Sequence, residues 1–283
     1  MGQYHSPGIK KTWAILLLIT IFIVASGGCT LSQKAVSEAT APYGTDTPTA
    51  PLSNPDDWQA ATPGVWTRNF RVEPPYTSAA FDMPAVRLDP ALISLRVHYK
   101  PTFFLTIPEW LDQLDDPLVV VNGSFFTAEG YAVGLVVADG SYHGNSLEGF
   151  GGMLQVSAGE TRVRSLVREP YADELYEQVA QGFPMFIHPG GEAARTGEGF
   201  DDPSRRTMIA QDMDGYIYLF VTPLGRLTLR QAQQWLLESE FNFDVAFGLD
   251  GGKSTGLYVK NPAGDLLYPS IDPIPVVIAA YPR

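Results

Sequence analysis

The feature that most constrains the fold is a series of short apolar runs that continues from about residue 61 to the end of the chain. Most are rich in Val, Ile, Phe or Tyr and are bounded by Gly, Pro, Asn or Asp, as β-strands are. We predict strands at Ala91–Tyr99, Leu118–Val121, Ala132–Ala138, Gly152–Val156, Arg162–Val167, Phe183–Ile187, Arg206–Ala210, Tyr216–Val221, Val245–Leu249, Gly256–Val259 and Pro275–Ala280.

Three segments carry helical signals instead. A Thr-Ile-Pro-Glu sequence at Thr106–Glu109 opens one helix with an N-cap and a proline in the first turn. Tyr171–Gln181, with Leu175 on its apolar stripe, and Thr228–Ser239 are predicted as the other two. Strands outnumber helices and do not alternate regularly with them. We therefore expect residues 61–283 to form a single α+β domain with a large mixed or antiparallel β-sheet core and a few packed helices.

The amino-terminal residues differ from the rest. Two lysines precede the apolar run Trp13–Ala25, which is too short to span a membrane and suits the core of a signal peptide. Small residues and then Cys29 follow, a pattern similar to the lipobox of bacterial lipoproteins. We predict a lipoprotein-type signal peptide at residues 1–28, lipidation at Cys29 and a Ser/Thr/Pro-rich tether through residue 60. A plain membrane anchor or an ordinary signal peptide is the alternative.

The chain is acidic. Its formal net charge is −12, and loss of the two signal-peptide lysines lowers it by two, to −14. Such a chain is repelled by nucleic acid, so we expect no nucleic-acid partner. The single cysteine rules out an intramolecular disulfide, and lipidation would account for it. The expected location is extracytoplasmic, on the cell membrane, through the lipid.

Two segments place polar side chains at strand ends. A buried strand ends in Asn122-Gly123 beside two phenylalanines. This pair is either a hairpin turn or an amide that emerges at the edge of a sheet. Later, Arg206 and Thr207 begin a strand. The planar guanidinium of Arg206 can bind a phosphate or carboxylate through two hydrogen bonds, or it forms a surface ion pair in this acidic chain.

A third segment, Val245–Tyr258, combines a carboxylate with a glycine loop. Asp250 ends an apolar strand, and Gly251 and Gly252 allow backbone conformations in which successive amides can form an anion-binding nest. The Gly-Lys-Ser sequence is not a P-loop, because Phe247 stands where that motif has Gly and a strand is predicted to follow. This arrangement suits glycosyl or phosphoryl chemistry, although Asp250 is alternatively a simple turn residue.

Taken in order, these segments resemble the phosphodiester glycosidase family, which includes the N-acetylglucosamine-1-phosphodiester uncovering enzymes. The motifs that carry the resemblance are Asn122–Phe126, Gly182–Gly190, Arg206-Thr207, Thr228-Leu229 and Leu249–Thr255. Lys253 and Ala210 stand where the family usually has glycine. The resemblance implies hydrolysis of a sugar C1–O–phosphate linkage, as in N-acetylglucosamine-1-phosphodiesters.

On this interpretation Asp250 is the catalytic base or nucleophile toward C1, and Arg206 stabilises charge on the phosphate. The remaining site residues are expected to bind substrate: Asn122, Gly123, Thr207, Gly251, Gly252, Lys253 and Ser254. Glu129, His143 and His188 are reserve acid–base candidates. No cofactor is expected; Asp212 and Asp214 could contribute to a calcium site, but a turn explains them better.

Two other classes of function remain open at this point. One is a surface-tethered protein that binds glycans or glycosyl phosphates without turnover, with aromatic side chains as sugar platforms. The other is a structural envelope lipoprotein with a degenerate site.

Overall fold

The computed structural model describes residues 58–197 and 199–283, which belong to one compact unit. The predicted signal peptide, the lipidation site Cys29 and the predicted tether up to residue 57 lie outside the described residues. No helix in the described ranges is long and apolar enough to cross a membrane.

The described residues are organised mainly as strands. Their bounds, in chain order, are β1 (Gln59–Thr62), β2 (Val65–Val72), β3 (Phe81–Leu88), β4 (Ile93–Tyr99), β5 (Val119–Asn122), β6 (Val136–Ala138), β7 (Ser141–His143), β8 (Gly152–Ser157), β9 (Glu160–Ser165), β10 (Gln178–Gly182), β11 (Met185–His188), β12 (Glu192–Ala193), β13 (Thr207–Asp212), β14 (Ile217–Val221), β15 (Phe243–Gly248), β16 (Leu257–Val259), β17 (Leu266–Tyr268) and β18 (Val276–Pro282). Two α-helices, α1 (Ile107–Leu111) and α2 (Leu229–Glu238), and a 3-10 turn at Gly252–Ser254 complete the secondary structure.

The strands form three sheets. The largest has the order β1-β2-β3-β14-β13-β15-β11-β12, the second β7-β6-β10-β8-β9 and the third β17-β16-β5-β18-β4. Every recorded strand pair is antiparallel. All the strands predicted from the sequence are present, with ends shifted by a few residues.

The α+β prediction is wrong. Strands make up 43% of the described residues and helices only 8%, so the protein is mostly β, built from three sheets with two helices. Part of the error is the helix predicted at Tyr171–Gln181, whose last residues form β10. Asp173 has a φ of 59°, which breaks a helix, and Leu175 is 83% exposed and not on a buried stripe. Pairing of β10 with β6 and β8 overrides the local helical pattern.

The three sheets share one apolar core. Val86 of the first sheet, Leu154 of the second and Val121 of the third belong to the same buried cluster. The other face of the eight-stranded sheet packs against α2, where Trp235 lies 5.3 Å from the Phe220 ring. Strand side chains alternate between faces, so this sheet is apolar on both sides because both sides are covered.

Both predicted helix starts are confirmed. Thr106 caps α1 and Thr228 caps α2, each in a capping box that is closed by Glu109 or Gln231. Such caps satisfy amides that have no partner inside the helix and stabilise it by about 1 kcal/mol.

Candidate active site

Asn122 joins the three chemical segments predicted from the sequence. It ends β5 in the third sheet and is only 1% exposed. Its Nδ2 donates to the main-chain oxygen of Asp250 at 2.6 Å. Its Oδ1 accepts from the Thr207 hydroxyl at 2.7 Å and from the Gly256 amide at 3.2 Å. One amide side chain thus ties β5 to the start of β13 and to the loop after β15.

The hairpin alternative for Asn122-Gly123 does not hold. The Gly123 amide donates to the Val276 carbonyl at 3.1 Å, and the Gly123 carbonyl accepts from the Asp250 amide at 3.1 Å. A Cβ at Gly123 would lie 3.0 Å from the Val276 side chain, tighter than most contacts of a Cβ atom. The glycine therefore allows a close approach between segments and does not make a turn.

Thr207 is as buried as Asn122, at 1% exposed. Besides its bond to Asn122, its hydroxyl lies 3.3 Å from that of Thr255. These groups satisfy one another inside the protein, which fits a role in positioning the Asp250 loop. Direct binding of substrate by Asn122, Gly123 and Thr207 stays a prediction.

The Asp250 carboxyl is partly buried and has few partners. Its Oδ1 accepts from the Gly251 amide at 2.8 Å, and the Ser254 side chain hydrogen-bonds to it. Burial raises the pKa of Asp250 to about 6, while those two hydrogen bonds oppose the shift. Among the described residues, no lysine or arginine side chain contributes to lowering the pKa of Asp250. A carboxyl whose pKa is raised to about 6 is typical of functional sites and uncommon in simple turns.

The glycine loop is held by its neighbours. The Gly252 amide donates to the Arg205 carbonyl at 2.8 Å, and Gly252 has a φ of 60°, a conformation that favours glycine. A Cβ at Gly251 would lie 2.7 Å from the same carbonyl. A 3-10 turn and β16 follow, as expected of a loop that is not a P-loop. Because the Gly251 and Gly252 amides donate within the protein, neither offers the open nest that we predicted.

The two adjacent arginines differ. Arg206 donates from Nε to the Leu227 carbonyl at 2.8 Å and from Nη2 to the Asp202 carbonyl. Burial lowers its pKa, opposed by the charge of Asp202. Arg206 thus joins two loop segments, and no ion pair within the described ranges includes it. Its role toward phosphate stays a prediction. Arg205, which sequence reasoning passed over, donates instead to the Thr255 carbonyl.

Lys253 lies on the outside of the loop. Its side chain is 69% exposed, and Nζ lies 3.3 Å from Oδ2 of Asp272. Its carbonyl accepts from the Ile271 amide at 2.8 Å. An exposed pair of this kind has little effect on stability. Binding of substrate by Lys253 stays a prediction.

The reserve acid–base candidates lie elsewhere. Nδ1 of His188 is 3.0 Å from the Ser165 hydroxyl, and His188 is buried. The ring of His143 packs 4.9 Å from that of Tyr99. Hydrogen bonds from Thr127 and its own backbone lower the pKa of Glu129. None of these contacts joins them to Asp250.

Metal ligands are not gathered at the site. Within the described ranges, no group of three or more His, Cys, Asp or Glu side chains could hold a metal ion. Asp212 accepts from the Asp214 amide at 3.0 Å and the Tyr216 amide at 2.9 Å through Oδ1, and from the Tyr218 hydroxyl through Oδ2. That arrangement is a turn between β13 and β14.

The fold and the site define an antiparallel β protein with a partly buried carboxyl of raised pKa on a glycine loop. Residues 115–280 match the family model of phosphodiester glycosidases. The chain belongs to the phosphodiester glycosidase family, which confirms the resemblance inferred from the motifs. No curated protein matches the sequence.

Solved structures share the fold. The catalytic domain of zebrafish N-acetylglucosamine-1-phosphodiester alpha-N-acetylglucosaminidase, auto-inhibited by its pro-peptide, is 20% identical with a TM-score of 0.61, over 80% of this chain and 88% of that one. A protein from Synechocystis is 15% identical with a TM-score of 0.59, over 78% of this chain and 63% of that one. A protein from Burkholderia pseudomallei is 11% identical with a TM-score of 0.53, over 73% of this chain and 75% of that one.

Proposed function

We propose that the protein hydrolyses the C1–O bond of a glycosyl phosphodiester such as an N-acetylglucosamine-1-phosphodiester, with Asp250 as the catalytic carboxylate. The observation that carries the proposal is the pKa of about 6 at Asp250, on a loop that Asn122 and Gly251 hold in place. A carboxylate that ionises near neutral pH can attack C1 or take a proton from water. Membership of the family supports this class of reaction.

The leaving group explains why one prominent carboxyl is sufficient for bond cleavage. When the C1–O bond breaks, both electrons stay with the oxygen, and a phosphomonoester dianion leaves. Its conjugate acid has a pKa of about 6, so it departs without strong acid assistance. Water then supplies a hydroxyl group to C1, directly with Asp250 as base or after a glycosyl-enzyme intermediate with Asp250 as nucleophile.

The location we propose is outside the cytoplasm, with the protein anchored to the membrane by a lipid on Cys29. The support is the sequence alone: an apolar run too short to span a bilayer, small residues, the only cysteine and a polar tether. The substrate would then be a glycan or glycosyl phosphate met at the cell envelope, and no nucleic acid is expected to bind so acidic a surface.

An aromatic surface favours glycan binding without turnover as the second candidate. The Phe125 and Phe183 rings stack at 4.1 Å, and Phe150, which is 49% exposed, packs 5.2 Å from Phe183. Phe125 lies two residues after Gly123 of the candidate site. Phe183 lies next to the end of β15, because a Cβ added at Gly248 would be 2.9 Å from the Phe183 carbonyl. Such rings bind the apolar faces of sugars.

Hydrolysis by the full chain distinguishes the two functions. The assay measures free sugar and free phosphomonoester released from N-acetylglucosamine-1-phosphate diesters by the wild type and by Asp250→Asn. We expect release by the wild type and a loss of about 10³-fold or more in the variant. Binding of the diester by a folded wild type without release would establish the binding protein instead.

A further inference from the structure

Arg205 is fixed to the loop that carries Asp250. Its carbonyl accepts from the Gly252 amide at 2.8 Å and lies so close to Gly251 that a Cβ there would be 2.7 Å away. Its Nη2 donates to the carbonyl of Thr255 at the other end of the loop. The backbone and the head group of one residue thus hold both ends of the same glycine loop.

The guanidinium group of Arg205 has unused hydrogen-bonding capacity. Its Nε is buried and has no hydrogen-bond partner. Arg162, Arg164, Arg168 and Arg230 each lie within 4.0 Å of a carboxylate, but no ion pair in the part of the chain that the structure describes includes Arg205.

Burial lowers the pKa of the Arg205 guanidinium, and no acidic side chain among the described residues opposes that shift. Conversely, Arg205 is not among the causes that set the pKa of Asp250. An anion bound by Arg205 would supply the missing partner.

Other polar atoms without partners occur on segments that border the loop. Of the eight buried side-chain N and O atoms without a partner in the described ranges, two besides Arg205 Nε are the hydroxyls of Ser124 and Ser270. Ser124 follows Gly123, whose carbonyl holds the Asp250 amide. The Ser270 amide would lie 2.8 Å from a Cβ at Gly256. Buried polar atoms are normally satisfied, so each of these three atoms has hydrogen-bonding capacity left for a ligand or an ordered water.

We infer that Arg205 binds the phosphate group of the glycosyl phosphodiester and thereby selects substrates with an anionic leaving group. The inference rests on the proposed function and adds the residue that recognises the phosphate. A planar guanidinium with free N–H groups forms paired hydrogen bonds with phosphate oxygens. Negative charge on the phosphate increases as the C1–O bond breaks, so Arg205 also favours the transition state.

The test compares Arg205→Met and Arg205→Lys with the wild type in the full chain. Arg71→Met is the control, because Arg71 is an exposed arginine on β2 that pairs only with Asp82 in the described residues. Four quantities are measured: kcat and KM for an N-acetylglucosamine-1-phosphate diester, the inhibition constant of inorganic phosphate, and kcat/KM for a neutral p-nitrophenyl α-N-acetylglucosaminide. Circular dichroism checks that each variant is folded.

For Arg205→Met we expect kcat/KM for the diester to fall roughly 10- to 100-fold and inhibition by phosphate to weaken by a similar factor. Hydrolysis of the neutral glycoside should fall by a clearly smaller factor, which reflects only the lost hydrogen bond to the Thr255 carbonyl. Arg205→Lys retains a charge but not the planar fork, so its values should be intermediate. A folded Arg205→Met with wild-type constants for the diester and for phosphate would overturn the inference. An equal loss on both substrates would also overturn it, because that pattern indicates a structural role.

Failure of the proposed function gives a different pattern. If the wild type releases no sugar from any diester, the binding of inorganic phosphate is measured by isothermal titration calorimetry. Binding by the wild type that is lost in Arg205→Met and kept in Arg71→Met supports the anion site without the reaction. Equal binding by the wild type and Arg205→Met, or no binding by either, contradicts it.

Discussion

The Asn122 side chain donates to the main-chain oxygen of Asp250 at 2.6 Å, across 128 residues of sequence. This bond joins the last residue of β5 in one sheet to the loop after β15 in another. The Asp250 amide in turn donates to the Gly123 carbonyl. The carboxyl therefore stands on a backbone that is held from both sides by the Asn-Gly motif.

Removing the Asn122 side chain should destabilise the protein and misplace Asp250. Asn122→Ala leaves the Thr207 hydroxyl, the Gly256 amide and the Asp250 carbonyl without their partner, and we expect a loss of about 2–4 kcal/mol in the free energy of unfolding. Thr207→Val removes one hydrogen bond and should cost about 1 kcal/mol. Urea denaturation measures both. Thr67→Val on β2 is the matched control, and a loss in that control equal to that of Thr207→Val would contradict the network.

The pKa of Asp250 should appear in the stability of the protein. Because burial raises this pKa from 3.8 to about 6, the folded state favours the protonated carboxyl. The contribution of the raised pKa to the free energy of unfolding is fully present below about pH 4 and is lost as pH rises through 6. Asp250→Asn, which cannot ionise, should therefore be more stable than the wild type by about 2–3 kcal/mol at pH 8, with little difference at pH 4. Thermal unfolding at the two pH values measures it, and an equal difference at both would contradict the shift.

The ionisation of Asp250 should set the acidic limb of the pH profile of kcat/KM. If Asp250 acts as an ionised base or nucleophile, kcat/KM for a glycosyl phosphodiester should fall tenfold per pH unit below about 6. The phosphodiester itself does not change charge in this range, so the limb belongs to the enzyme. A profile that is flat from pH 4 to 7 would mean that the ionisation of Asp250 does not control the reaction.

Gly251 should tolerate no side chain. A Cβ there would be 2.7 Å from the Arg205 carbonyl, so Gly251→Ala forces the loop to move. We expect a loss of about 1–3 kcal/mol in stability and a larger proportional loss of activity. Gly197→Ala is the control, because a Cβ at Gly197 meets no atom within 4 Å. Comparable activity in both variants would show that the loop adapts.

The sequence predicted the central strands well because their β-branched runs end in turn residues. It missed β1, β2, β3, β7, β12 and β17. In β3, Pro84 reads as a strand breaker. Pro84 is tolerated because it pairs with Asn69 on β2 but lies beyond the last residue, Ala85, that pairs with β14. It also assigned a helix where β10 forms, because the contacts that decide β10 are made with distant strands.

The site was predicted in part. Asn122, Thr207 and Asp250 carry distinctive residue types at strand ends, and the structure brings them together. The difference between Arg205 and Arg206 was not readable from the sequence. Both precede β13, and only the path of the loops decides that Arg206 donates to the Leu227 carbonyl while Arg205 donates to Thr255.

The most direct test of the central claim is the fate of the water oxygen. The full-length wild type is incubated with an N-acetylglucosamine-1-phosphate diester in water enriched in oxygen-18, and both products are analysed by mass spectrometry. Cleavage of the C1–O bond with Asp250 as base or nucleophile places the heavy oxygen on C1 of the sugar and none on the phosphate. Heavy oxygen on the phosphate would mean cleavage of a P–O bond, and the assignment of a glycosidase reaction to this site would be wrong.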